Sequence, residues 1–432
     1  MSILIKIIVG LVLLSLIVLI HEFGHFIAAK ACGVVVEEFA LGMGPKLFSF
    51  EKGGTVYAVR AFPIGGMCAM KGEDEEDHSE GSFQSAAVWK RIIIVAAGPV
   101  FNFVLGFIGA VVIISSAGVD PAYVAEVAEG SPAAEAGLLE GDLIKNYNGH
   151  SIANGREIYM YNQLDGVPTD TVTLTVERDG ETLYFSYAPE TTSKYKVGYY
   201  YSPGSETAEI TGITFGSPAY KAGLKAGDVI IAVDGTEITT MDSLEEYWEE
   251  NPMGDESIRL TIERDGKEYN ADLTPTFTTT ATLGFSYNLT RENVGVLQTI
   301  SYSFGEIKYW INLTFKSLWC LVTGQVSVRD MSGPVGIIET VGDVYEEAAA
   351  YGAYEAFLEM LNMMILITVN LGIMNLLPFP ALDGGRILFL IIECIRRKPV
   401  SQRIEGTYHM VGFVLLMGLM VLVTVNDVAR LL

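Results

Sequence analysis

Hydrophobic and polar positions along the chain fall into two regimes. In the first, long uncharged apolar runs stand between short charged connections. They cover residues 7–20, continuing across an embedded His-Glu pair to Ala29, then Ile92–Val119, Met360–Leu382 and Met410–Asn426. A bilayer core takes about 20 mostly apolar residues in helical form, so these stretches predict four transmembrane helices. A further run, Ser317–Val328, is too short to span and is bracketed by Lys316 and Arg329; with Tyr302–Phe315 it reads as an amphipathic or interfacial helix. In the second regime, apolar and polar residues alternate, as in Val172–Val176, and lead into Asp-Gly turns, the pattern of β-hairpins. The N-terminal run is not read as a cleaved signal, because Lys6 is its only basic flank and no A-x-A site follows.

Composition and charge sharpen this division. The 432 residues are 50% hydrophobic and 19% charged, against roughly 25% charged in ordinary soluble proteins, which excludes a purely soluble or disordered chain. Of the formal net charge of −24, the block Gly118–Leu297 contributes −19, with 30 Asp and Glu against 11 Lys and Arg. Such acidity argues against nucleic acid as a partner, since phosphate neutralisation needs a basic surface. The apolar remainder has small basic clusters. Lys30, Lys46, Lys52, Arg60, Lys71, Lys90 and Arg91 lie between the first two spans; Arg386, Arg396, Arg397, Lys398 and Arg403 lie between the last two. The positive-inside rule makes both connections cytoplasmic and the acidic block extracytoplasmic, although the acidic run Glu73–Asp77 blurs the first. Cys32, Cys68, Cys320 and Cys394 form no C-x-x-C pair, which argues against a disulfide framework or a Cys-ligated zinc site.

The acidic block contains a tandem repeat. Residues 130–144, starting Gly-Ser-Pro-Ala and containing Ala-Gly-Leu and Gly-Asp-Leu-Ile, recur as residues 216–230, an offset of 86. The same offset carries Leu174–Gly180 onto Leu260–Gly266, so two equal copies run without a net gap. Pro132 and Pro218 start a short helix in each copy, and Gly137 and Gly223 follow its end. These units resemble PDZ domains of the bacterial protease-associated kind, which implies capture of extended peptide ends by strand addition; a solvated β-rich spacer is the alternative.

The chemistry is concentrated in the first span, at His21-Glu22-Phe23-Gly24-His25. Histidines at i and i+4 share one helical face and can ligate one Zn²⁺, and the adjacent Glu can act as base on a water. Three ionisable side chains inside an apolar span are costly unless they serve a site. A catalytic zinc takes a third protein ligand. The obvious membrane-embedded carboxylate is Asp383, at the end of the third span in Asn375-Leu-Leu-Pro-Phe-Pro-Ala-Leu-Asp383-Gly-Gly. Pro378 and Pro380 break the helix there, as is tolerated at membrane depth where backbone lines a polar cavity. Asp383 could alternatively cap a helix beginning at Gly384.

Taken together, H-E-x-x-H, Gly98-Pro99-x-x-Asn102, the tandem units, Ser332-Gly-Pro-Val-Gly336 and N-x-x-P-x-P-x-L-D-G-G make the chain similar to the site-2 protease family of intramembrane zinc metalloproteases, specifically its bacterial regulator-of-sigma-E type. The resemblance implies His21, His25 and Asp383 as zinc ligands, Glu22 as catalytic base and Asn375 as a residue holding substrate. It also implies a membrane-dipping β element between the first two helices, here Phe62, Pro63, Ile64, Gly65 and Gly66, although Met67–Met70 depart from the family's usual continuation.

The expected fold is a polytopic α-helical membrane protein of the bacterial inner membrane with two extracytoplasmic β-rich PDZ-like domains. Its expected segments are a first helix (1–30), a loop with the β element (31–87), a second helix (88–117), PDZ-like units (118–203 and 204–290), an interfacial segment (291–350), a third helix (351–385), a loop (386–407) and a fourth helix (408–432). The expected activity is zinc-dependent hydrolysis of peptide bonds in single-pass transmembrane substrates after a first extracytoplasmic cut, with lipid, transmembrane substrates and peptide ends as partners. A catalytically silent PDZ scaffold and a metal-handling membrane protein are the alternatives. The intact set His21, Glu22, His25 and Asp383 speaks against the scaffold, and a single three-ligand site speaks against a metal path.

Overall fold

The computed structural model describes residues 3–73, 77–202, 204–214, 216–288, 290–323 and 332–431. The later part of Ser317–Val328 and acidic residues 74–76 lie outside the described residues. Among the described residues four helices are long and apolar enough to cross a membrane, within Leu4–Cys32, Val88–Ala117, Ala353–Leu376 and Arg403–Val428. The chain forms two compact units, one of these helices with a β element, the other built on Asp120–Thr290.

The helical unit opens with α1 (Ile3–Cys32), β1 (Val36–Lys52), β2 (Thr55–Met70) and α2 (Val88–Ala117). Glu38–Leu41 of β1 have partners on both sides, Val56–Val59 and Gly66–Ala69, so the two long strands fold over into several ribbons. Phe62–Gly66 lie within β2; the side chains of Pro63 and Ile64 are outside the described residues. Ala28 and Ala29 of α1, Val36 of β1, Cys68 of β2 and Ile94 of α2 share one buried cluster, which locks the β element to the helix pair.

In the acidic unit the first copy runs β3 (Val124–Val127), α3 (Pro132–Glu135), β4 (Leu143–Tyr147), β5 (His150–Ser151), α4 (Gly155–Asp165), β6 (Val172–Arg178), β7 (Glu181–Tyr187), β8 (Glu190–Lys196) and β9 (Tyr199–Tyr201). The second runs β10 (Ile210–Ile213), α5 (Pro218–Lys221), β11 (Val229–Val233), β12 (Thr236–Glu237), α6 (Met241–Glu250), β13 (Ile258–Arg264), β14 (Lys267–Leu273), β15 (Thr276–Thr282) and β16 (Phe285–Tyr287). The same local causes act in both. Ser131 and Ser217 cap α3 and α5 by accepting from the Ala134 and Tyr220 amides. The Asp of each Gly-Asp pair is buried and doubly bonded by an arginine: Arg178 to Asp142 at 2.6 and 2.7 Å, Arg264 to Asp228 at 2.5 and 2.7 Å.

Each copy's last strand, however, completes the other copy's lobe. β16 pairs with β3, and Ser131 Oγ and the Ala128 amide donate to the Gly284 carbonyl. Symmetrically, β9 pairs with β10, and Ser217 Oγ and the Thr214 amide donate to the Gly198 carbonyl. The connecting strands β8 and β15 pair antiparallel with each other, and Ser193 Oγ lies 2.8 Å from Thr279 Oγ1, its own equivalent 86 residues on. Val197, Tyr199 and Tyr201, which precede residue 204, accordingly pack in the second lobe, with Ile210 and Leu260. The repeat locates the copies, but the sheet edge that accepts each final strand is chosen by register in the assembled lobe.

The remaining helices are α7 (Val296–Val322), α8 (Pro334–Tyr351), α9 (Ala353–Leu376), α10 (Asp383–Arg396) and α11 (Gln402–Leu431). The amphipathic α7 lays Ile307, Trp310 and Ile311 against buried Ala110 of α2 and Ile365 of α9. The third apolar run does not continue helically through Leu382. It ends at Leu376, because Leu377 precedes Pro378 and adopts an extended conformation, and Asp383 opens α10. The Ser-Gly-Pro-Val-Gly motif starts α8, whose Gly333 and Gly336 amides donate to the buried Asp427 carboxylate of α11 at 3.1 and 2.8 Å. A carboxylate at a helix N-terminus in such a partly buried setting contributes up to about 2 kcal/mol.

The strand exchange has a direct test by hydrogen exchange on the full chain. Phe285→Asp, in β16, is expected to raise exchange in β3 and β4 more than in β11 and β13. The opposite pattern would place β16 in the second lobe.

Candidate active site

α1 sets His21 and His25 one turn apart, ring centroids 4.9 Å from each other, and buries both. Gly98 of α2 lies against them; a Cβ there would sit 2.3 Å from His25 Nε2 and 2.9 Å from His21 Cε1, so only glycine lets the backbone come this close. Each ring is oriented from α2. His25 Nδ1 donates to the Ile94 carbonyl at 2.9 Å, which leaves the Nε2 lone pair free. His21 Nδ1 lies 3.1 Å from the Asn102 side-chain amide. With the amide oxygen turned to the ring, Nδ1–H donates to it and this Nε2 is free as well; the other orientation leaves Asn102 Oδ1 buried without a partner. Thr368 of α9 in turn donates to the Asn102 carbonyl.

Asp383 reaches this pair from the first turn of α10. Its Oδ2 lies 3.2 Å from His21 Nε2 and 3.5 Å from His25 Nε2, and the two nitrogens are 3.2 Å apart. Among the described residues these three form the one cluster able to hold a metal ion. Their spacing matches the edge of about 3.3 Å expected of tetrahedral ligands at 2.0–2.1 Å from zinc, and two imidazoles with a carboxylate are a donor set of catalytic zinc. Asp383 is therefore not merely a helix cap: no side-chain cap bond forms at the start of α10, and the carboxylate faces the histidines. The Gly384-Gly385 pair lets the chain turn there, since a Cβ on Gly384 would lie 2.1 Å from the Leu377 carbonyl oxygen.

Glu22 is half-buried beside the first histidine. A Cβ on Gly66 would lie 2.7 Å from Glu22 Cγ, so the glycine lets β2 pack directly on the Glu22 side chain. Gly65 lies against Met43, and Phe62 is mostly exposed. Asn375 is half-buried on the last turn of α9, and among the described residues neither it nor Phe62 bonds to the histidine–aspartate cluster. The orienting groups Asn102 and Ile94 were not assigned roles from sequence. The Gly98-Pro-x-x-Asn102 spacing, one turn of helix with a buried amide at its end, is the signal for the first; a carbonyl such as that of Ile94 leaves none.

Residues 9–419 match Peptidase family M50. The chain belongs to this family. The regulator of sigma-E protease RseP of Escherichia coli (strain K12) is 32% identical, over 98% of this chain and 98% of its own. The zinc metalloprotease RasP of Geobacillus kaustophilus is 32% identical over 97% of each chain, and a putative zinc metalloprotease of Clostridium perfringens 31% over 98% of each. This M50 peptidase is thus a metalloprotease of the site-2 protease type. Among solved structures, the HtrA3 PDZ domain bound to a phage-derived ligand is similar over 21% of this chain and 93% of its own, at 17% identity and a TM-score of 0.18.

Removing the orienting amide should weaken metal binding without removing a ligand. Asn102→Ala is expected to lower zinc affinity about 10–100-fold in a chelator competition, as outer partners of metal-bound histidines do. Unchanged affinity would show that Asn102 does not set the His21 tautomer.

Proposed function

We propose that this M50 peptidase holds zinc through His21, His25 and Asp383 and hydrolyses peptide bonds within, or at the edge of, single-pass transmembrane segments. The observation that carries the reading is the convergence of two lone-pair-bearing imidazole nitrogens and a carboxylate beside Glu22, on helices long and apolar enough to span a membrane. Zinc, when bound, supplies a Lewis acid that acidifies water and polarises the scissile carbonyl. Glu22 takes the proton of the attacking water and passes it to the leaving amide nitrogen. A helical substrate hides its carbonyls in hydrogen bonds, so it must unwind first. The ribbon Gly66–Ala69 pairs on one side with Glu38–Leu41 and has no strand partner on its other edge among the described residues. An unwound segment added at that edge would run beside Glu22. Asn375, on the turn before the Asp383 segment, would hold it there.

The basic connections support a topology with residues 31–87 and 386–407 in the cytoplasm and the acidic lobes outside a bacterial inner membrane. On this reading the lobes are PDZ-like units that bind peptide ends or exclude uncut substrates by size. The name of the E. coli relative, a regulator of sigma-E protease, supports a role in regulated cleavage; on this reading the cleavage follows a first external cut, with anti-sigma factors or remnant signal peptides as substrates.

Glu22→Gln removes the base and no ligand. It is expected to lower cleavage of a model transmembrane substrate at least about 100-fold while one zinc per chain is retained; near-normal turnover would sink the mechanism. Sidedness is checked by labelling intact cells after replacement of the four native cysteines. A cysteine placed in residues 120–290 should react and one at Arg396–Lys398 should not, and the reverse would overturn the orientation.

A further inference from the structure

The third ligand, at the first position of α10, directly follows a short segment, residues 377–382, that belongs to neither α9 nor α10. Pro378 and Pro380 supply no amide donors to it. Its internal hydrogen bonds are few: the Phe379 amide to the Leu377 carbonyl and the Leu382 amide to the Phe379 carbonyl, at 2.6 and 3.3 Å. Ala381 sits at φ +69°, in the left-handed region that a residue with a Cβ holds only when its surroundings impose it. Two residues later comes Asp383.

What imposes that conformation comes from α11. Tyr408 Oη donates to the Pro378 carbonyl at 2.9 Å, and the Ala381 amide donates to His409 Nδ1 at 3.0 Å. One turn further on, Gly412 lets the helix lie directly on the segment, since a Cβ there would sit 2.1 Å from Pro380 Cβ. These groups occupy i, i+1 and i+4, an arc on one side of the helix. The apolar middle of α11 offers little else to hold it: Val414 is 63% exposed and Leu422 57%, as suits a lipid-facing span. A further polar tether is Asp427, at the N-terminus of α8. The ring of His409 is itself packed between Phe389 of α10 and Tyr408, with centroids 6.1 and 5.4 Å away, which fixes the direction of Nδ1.

We propose that Tyr408 and His409 are positioning residues for the metal site: α11 clasps the segment 377–382 and thereby holds the Asp383 carboxylate where His21 and His25 converge. His409 is not a further ligand, because its Nδ1 lone pair accepts the Ala381 amide and the proton sits on Nε2. The inference rests on the zinc reading above.

The test measures zinc affinity of the purified full-length protein by chelator competition, together with hydrogen exchange of residues 377–383 in the zinc-free state. His409→Leu keeps the bulk and loses the acceptor; it is expected to weaken zinc binding about 10–100-fold and to speed exchange in the segment. Tyr408→Phe, which loses one donor, should act in the same direction. His409→Asn returns an acceptor near the position of Nδ1 and should recover affinity relative to His409→Leu. Wild-type affinity and exchange in His409→Leu would overturn the positioning role, and equal loss in the Asn and Leu variants would reduce it to packing. A wild-type protein that binds no stoichiometric zinc would instead overturn the zinc reading itself.

Discussion

His21, His25 and Asp383 bring three ionisable side chains to within 3.5 Å of one another among helices made of apolar residues. Each alone would be costly in such surroundings, and together they are tolerable where their polar atoms are bonded, to one another, to their neighbours and, in the proposed function, to a shared zinc. Much of the helical unit follows from that requirement. Gly98 admits the α2 backbone next to both rings, Ile94 and Asn102 engage the outward nitrogens, and Thr368 ties Asn102 to α9. The broken helix between α9 and α10 brings in the carboxylate from the side that α1 and α2 leave open.

Peptide hydrolysis also needs an extended substrate, and in the proposed function the β element is where one would be held. Gly66 touches Glu22, and the same ribbon pairs through one edge with β1. Backbone hydrogen-bonding groups along the other edge are the ones an unwound segment lacks when it leaves its own helix. On the proposed reading, the base and the strand that would receive substrate meet in one contact, which Gly66 permits.

In the acidic unit, duplication produced an exchanged pair and not two independent beads. Because β8 and β15 pair about the Ser193–Thr279 contact, β9 and β16 are each delivered to the opposite lobe. Either lobe therefore depends on a strand encoded with the other.

Local rules in the sequence were sufficient for much of this. Uninterrupted apolar length specified the spans, helical periodicity put His21 and His25 on one face, and Ser-Pro starts and Asp-Gly turns specified α3, α5 and the hairpins in both copies. Asp383 was visible as a carboxylate beside two prolines, because those prolines forbid the helix from continuing. Other features depend on residues far apart in the chain meeting at a distance that no local rule encodes. The exchange of β9 and β16 is settled by which sheet edge is free once both lobes form. The tautomers of the histidines are set by Ile94 and Asn102, and the conformation of Ala381 by Tyr408 and His409 on the last helix. Sequence alone determined which groups could do the chemistry; the packing of α2, α10 and α11 decided where their atoms point, because direction at a metal site is fixed by partners and not by residue type.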